Sequence, residues 1–111
     1  MIKVVNLRTY QAVENEQLIK VDRSSILGNP FHINSTCTRD RVCDAYGQYL
    51  EDKVNHKSQN KDFILALKYI YDRALKTDIA LGCWCAPLRC HADTIKDFIT
   101  LAIIDRKDSS C

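Results

Sequence analysis

"DIALGCWCAPLRCHADTIKDFI", residues 78–99, decides how the rest of the chain is read. Its first eight residues, Asp78 to Cys85, form an apolar run too short for a buried helix, and such a run reads as a buried strand. Pro87 turns the chain immediately afterwards. Beyond Cys90, Ile95, Phe98, Ile99, Ala102 and Ile103 recur at helical spacing and give a final helix its inward stripe.

Working back toward the N-terminus, "IKVVNL" (2–7) and "QLIKVD" (17–22) are rich in Val, Ile and Leu and are separated by a polar stretch, the pattern of two strands joined by a loop. From Thr38 onward, Val42, Ala45, Tyr46, Tyr49 and Leu50 mark an amphipathic helix, with Thr36 or Thr38 as its cap. Polar residues 55–62 break that pattern. Phe63, Ile64, Leu67, Ile70, Tyr71 and Ala74 then restore it in a second helix that ends near Lys76. The order strand, strand, helix, helix, strand, helix predicts an α/β or α+β fold: one domain over residues 1–111, with a sheet of three or four strands and about three helices packed on it. Residues 105–111 are expected to fray.

Composition limits the function classes. With 111 residues, 46% hydrophobic and 27% charged, the chain fits a single globular core. A formal net charge of +2, mixed along the sequence, gives no field that would steer it to nucleic acid. The N-terminus lacks a signal-peptide pattern, and no apolar run approaches the roughly 18 residues a membrane span needs. A cytoplasmic location without membrane association is therefore expected, in which the six cysteines are thiols, metal ligands or buried small hydrophobes.

Three of those cysteines and one of three histidines fall within residues 83–91. Thiolate and imidazole donors suit zinc, so Cys83, Cys85, Cys90 and His91 are candidate ligands of a Cys3His site, with His32 or Cys37 as an alternative donor. A second possibility places Cys90 or Cys83 as a catalytic nucleophile or redox centre, because unpaired N–H groups at a helix start favour a thiolate. Cys83 to Arg89 also fits the C-x5-R pattern of phosphate cradles, though without the glycines such cradles use. The third possibility is packing, the usual fate of a buried free cysteine. Cys43 and Cys37 are expected to pack, as is Trp84.

"RSSILGNPF" (23–31) is a restrained loop: Gly28 can take a positive φ, Pro30 holds Asn29 extended, and Phe31 is available to plug the core. If the strands run parallel, this loop and the cysteine loop share one edge of the sheet. Arg23, Asn29, Arg39 and Arg89 can then line a pocket for a nucleotide or another phosphate-bearing ligand. His56 reads as solvated, and Tyr46, Tyr49, Tyr69 and Tyr71 as core or half-core.

Together these blocks resemble a family of small phage and bacterial proteins known only as a domain of unknown function. Its members carry a "VVNxR" strand, a "GR…WGNPF" segment, a "TR…Y" helix and an "LGCxCxPxxCHGD" stretch. The matching residues here are Asn6, Arg8, Arg23, Gly28 through Phe31, Arg39, Tyr46 and Leu81 through Asp93. The chain departs from the family at Asp22, at Leu27 and at Ala92. The resemblance implies a cytoplasmic, often phage-encoded α/β domain whose site draws on these blocks, Asp93 included, without assigning a reaction. A metal-binding pocket protein of nucleotide or nucleic-acid metabolism, a cysteine-nucleophile enzyme, and a non-catalytic factor that binds a host protein all stay open.

Overall fold

The computed structural model describes residues 1–109, with side chains described through residue 106. Three strands, β1 (Ile2–Asn6), β2 (Glu16–Lys20) and β3 (Asp78–Cys83), form one sheet in the order β1-β3-β2. Both pairings are parallel, with Ile2 opposite Ile79, Asn6 opposite Cys83, and Lys20 opposite Gly82. Among the described residues three α-helices complete the α/β fold, α1 (Arg39–Asn55), α2 (Lys61–Ala74) and α3 (His91–Ser109), with a short 3-10 turn at Lys57–Gln59 between the first two. No described helix is long and apolar enough to cross a membrane.

β3 is central because it alone is apolar on both faces, as the interior strand of a parallel sheet must be. Every residue from Ile79 to Cys83 is buried. Ile79, Leu81 and Cys83 share one face of the strand and join a core with Tyr46 and Leu50 of α1, Phe63, Leu67 and Ile70 of α2, and Ile95 and Ile99 of α3. Burying each large aliphatic side chain contributes about 1.5–3 kcal/mol. On the opposite face Gly82 leaves room that the Leu7 and Leu18 side chains fill.

Thr38 caps α1, its hydroxyl accepting the Arg41 N–H at 3.3 Å. α3 starts on a related device: the Asp93 carboxylate accepts the Cys90 N–H at 3.0 Å, and the Cys90 sulfur accepts the Ala92 N–H. α3 continues to Ser109, across the first part of the stretch expected to fray. Cys111 lies outside the described residues.

The loop after β2 differs from expectation in two respects. No described glycine has a positive φ; the left-handed residue is Asn15, just before β2. Gly28 is needed instead for close approach, since a Cβ there would lie 2.6 Å from the Asp22 carbonyl oxygen and 2.7 Å from the Arg23 Cα. The core residue of this loop is Leu27 rather than Phe31, which is exposed and makes an edge-to-face contact with Tyr49 at 6.0 Å between ring centres.

Candidate functional site

Parallel strands bring their carboxyl ends to one edge, and the segments that leave them are stitched together there. Asn6, the last residue of β1, donates its side-chain amide to the carbonyls of Trp84 (3.3 Å) and Ala86 (2.9 Å), fixing the cysteine loop. Trp84 Nε1 donates to Asp22 Oδ2 at 3.0 Å, tying that loop to the segment after β2. The buried Tyr46 hydroxyl donates to the Leu27 carbonyl at 2.7 Å, and Asn29 Nδ2 donates to the Val42 carbonyl at 3.4 Å, so α1 holds the GNPF loop from behind.

A cleft of about 180 Å³ opens among these segments. Cys83, Cys90, Cys43 and Cys85 contribute its sulfurs, and Arg23, Arg39 and Arg89 its cations, with Asn29, Asp22 and Trp84 on the walls. Residues of the first turns of α1 and α3 both line it, so the positive ends of two helix dipoles lie beside the same space.

Its sulfur chemistry centres on one pair. Cys83 Sγ and Cys90 Sγ stand 3.0 Å apart, both buried. The Cys90 S–H donating to Cys83 is the main influence that pushes the Cys83 thiol below its ordinary value; the N–H groups of Cys85 and Ala86 assist, against the opposing effect of burial. Cys90 keeps its proton and its pKa rises, chiefly because it donates to Cys83 and also because it is buried. Burial likewise raises the Cys43 thiol.

The remaining candidate donors do not gather around that pair. His91 is buried against Tyr46, and its Nε2–H donates to the Val21 carbonyl, which fixes that tautomer because a carbonyl can only accept. Burial holds its pKa below the ordinary histidine value, so the ring is neutral. His32 is exposed and Cys37 half-buried, and neither lines the cleft. Among the described residues no three His, Cys, Asp or Glu side chains converge as a metal-holding group. The predicted Cys3His set is thus represented by two cysteines in contact, with Cys85 and His91 on the same cleft and the His91 ring committed to the Val21 carbonyl.

The arginines divide. Arg89 is committed to α1, with Nη1 3.2 Å from Asp40 Oδ1 and Nη2 2.8 Å from Asp44 Oδ1, and these carboxylates raise its pKa. It therefore does not complete the C-x5-R cradle suggested by the sequence. Arg23 donates to the carbonyls of Asn29 and Phe31, and Arg39 to the carbonyl of Arg89 at 3.2 Å. Among the described residues neither forms a salt bridge. Asp93 serves the start of α3, and Gly28 shapes the loop; neither lines the cleft.

Several contributors escaped the sequence reading, Ser24 and Val42 among them. Asp22, whose carboxyl pKa is lowered by hydrogen bonds from Ser24 and Trp84, closes one wall. Trp84 is 57% exposed at the rim rather than packed inside. Ile33 and Cys43 supply apolar wall. Trp84 alternates with Cys83 along an extended backbone, which was the one signal that it would face away from the core.

This combination defines a class: a small parallel α/β domain with a cleft at the carboxyl edge of its sheet, floored by a thiol pair and bordered by cations. The chain belongs to the family described as Domain of unknown function (DUF4326), whose model matches residues 5–101 and so spans all the segments that form the cleft. Comparison with curated proteins and with solved structures gives no match.

Proposed function

We propose that the cleft binds a small anionic ligand, a phosphate-bearing molecule such as a nucleotide, and presents the Cys83 thiolate to it. The observation that carries this reading is the meeting, in one cleft, of two guanidinium groups outside any salt bridge among the described residues, the first turns of two helices, and two thiols in contact, with the single lining carboxylate, Asp22, already taking hydrogen bonds from Ser24 and Trp84. Helix N-termini and oriented N–H groups favour negative charge, and arginine adds charge-assisted hydrogen bonds of the kind phosphates accept. The same field stabilises a thiolate, so anion binding and thiol reactivity are two uses of one electrostatic environment. Exposed Trp84 at the rim supplies a flat apolar surface on which a nucleobase can lie.

Calorimetric titration with inorganic phosphate and with adenosine monophosphate, in a phosphate-free buffer at low salt, tests the reading. Binding should weaken as salt rises, should be lost in Arg39→Ala, and should persist in Arg89→Ala, because Arg89 is already neutralised by Asp40 and Asp44. Absence of binding by either anion overturns it. Metal analysis separates it from a zinc site: zinc near one equivalent per chain in protein purified without added metal would redirect the reading to zinc, and a content below about a tenth leaves the anion reading in place. Zinc would require the His91 ring to leave the Val21 carbonyl or another donor to replace it.

A further inference from the structure

We propose that Cys83 and Cys90 form a modification site for hydroperoxides, which oxidise the pair to a reversible disulfide across the junction between β3 and α3. This goes beyond the anion reading, because the sulfur pair is in place whether or not an anion is bound.

Three observations support it. The sulfurs are 3.0 Å apart, so the covalent length of about 2.05 Å requires an approach of only about 1 Å. Cys83 is the last residue of β3 and Cys90 immediately precedes α3, so both lie at element ends, where an approach of this size disturbs the interior of neither. Both side chains are buried from bulk solvent yet line the cleft, which gives a small oxidant a path and hinders large thiols. Among the described residues this is the sulfur pair within hydrogen-bond distance.

The chemistry balances with a hydroperoxide as oxidant. Cys83 sulfur attacks one peroxide oxygen; an S–O bond forms, the O–O bond breaks, and the leaving alkoxide or hydroxide takes a proton to become alcohol or water. Cys90, deprotonated as it reacts, then attacks the Cys83 sulfur; the S–S bond forms, the S–O bond breaks, and hydroxide departs as water. The two thiols together lose two electrons and the peroxide gains them. A partner sulfur in contact traps the sulfenic acid before further oxidation.

The full chain, reduced and freed of reductant, is treated with hydrogen peroxide, blocked with iodoacetamide and digested with trypsin. Cleavage after Lys76, Arg89 and Lys96 leaves Cys83 and Cys85 on peptide 77–89 and Cys90 on peptide 90–96. The proposal predicts a linked pair of these peptides, lighter by two hydrogens than the two free thiols, assigned to Cys83 by fragmentation and removed by dithiothreitol. Cys85→Ser should retain the link, and Cys83→Ser and Cys90→Ser should each lose it. A link through Cys85 or Cys43, conversion of Cys83 to its sulfinic acid without a link, or oxidation confined to other cysteines overturns the proposal. Should either serine variant fail to fold, fragmentation of the wild-type product and the Cys85→Ser result still decide it. Failure of phosphate to bind would overturn the anion reading and leave this result unchanged.

Discussion

Gly28→Ala should damage the fold more than its single added methyl suggests. The new Cβ would stand 2.6 Å from the Asp22 carbonyl oxygen and 2.7 Å from the Arg23 Cα, short of ordinary van der Waals contact by about 0.8 Å. Those atoms are backbone and cannot swing aside. Their segment is anchored by the Val21 N–H on the Gly82 carbonyl at 2.9 Å and by the Gly28 N–H on the Ser25 carbonyl at 3.0 Å. Overpacking of this kind costs about 1–3 kcal/mol. At about 4–8 °C per kcal/mol for a domain of this size, the melting temperature should fall by about 5–20 °C in a calorimetric scan. Gly47→Ala is the control: it lies within α1, a Cβ there meets nothing within 4 Å, and replacing a mid-helix glycine gains about 0.5–1 kcal/mol. The two substitutions should move the melting temperature in opposite directions. A Gly28→Ala protein that melts within a degree or so of wild type would refute the close-approach reasoning.

Tyr46→Phe leaves the buried Leu27 carbonyl without its 2.7 Å partner and should cost about 1–3 kcal/mol by urea denaturation; an unchanged midpoint would count against that bond. Asn6→Ala removes two of the bonds that hold the cysteine loop and leaves the Trp84–Asp22 bond, so the single tryptophan, Trp84, should become more accessible to acrylamide quenching, whereas unaltered quenching would show the loop to be held without Asn6. His91 titrates below its unfolded value near 6.5, so the unfolded chain binds more protons, and the stability this residue contributes is full above that pH and lost as pH falls through the lowered value. Melting curves between pH 7 and 5 should therefore fall more steeply for wild type than for His91→Gln, which keeps a donor for Val21; parallel curves would contradict this.

Much of the fold was legible because its signals are local and repeated. β3 reads as interior since Ile79, Ala80 and Leu81 are apolar in succession, whereas β1 and β2 carry Lys3, Glu16 and Lys20. The sheet edge that carries the cleft was legible only on the condition that the strands run parallel, which the sequence left open and the pairing supplies. Side-chain direction was not legible. His91 has good ligand spacing to Cys90, yet the Val21 carbonyl, 70 residues away in sequence, takes its donor. Arg89 resembles a phosphate arginine by its distance from Cys83, yet Asp40 and Asp44 reach it from another helix. Gly28 suggested a special φ, while the constraint is the proximity of the Asp22 and Arg23 backbone, which no local pattern encodes. Each of these depends on contacts between distant segments, and spacing along the chain carries no record of them.

The most direct test of a thiolate in an anion-binding cleft is the rate at which iodoacetamide labels each cysteine near neutral pH, read by peptide mass spectrometry with and without inorganic phosphate. Cys83 should label first, with a pH midpoint below that of an ordinary thiol, and phosphate should slow it in wild type and not in Arg39→Ala. Uniform labelling of the cysteines, or a Cys83 rate indifferent to phosphate, would contradict the proposed site.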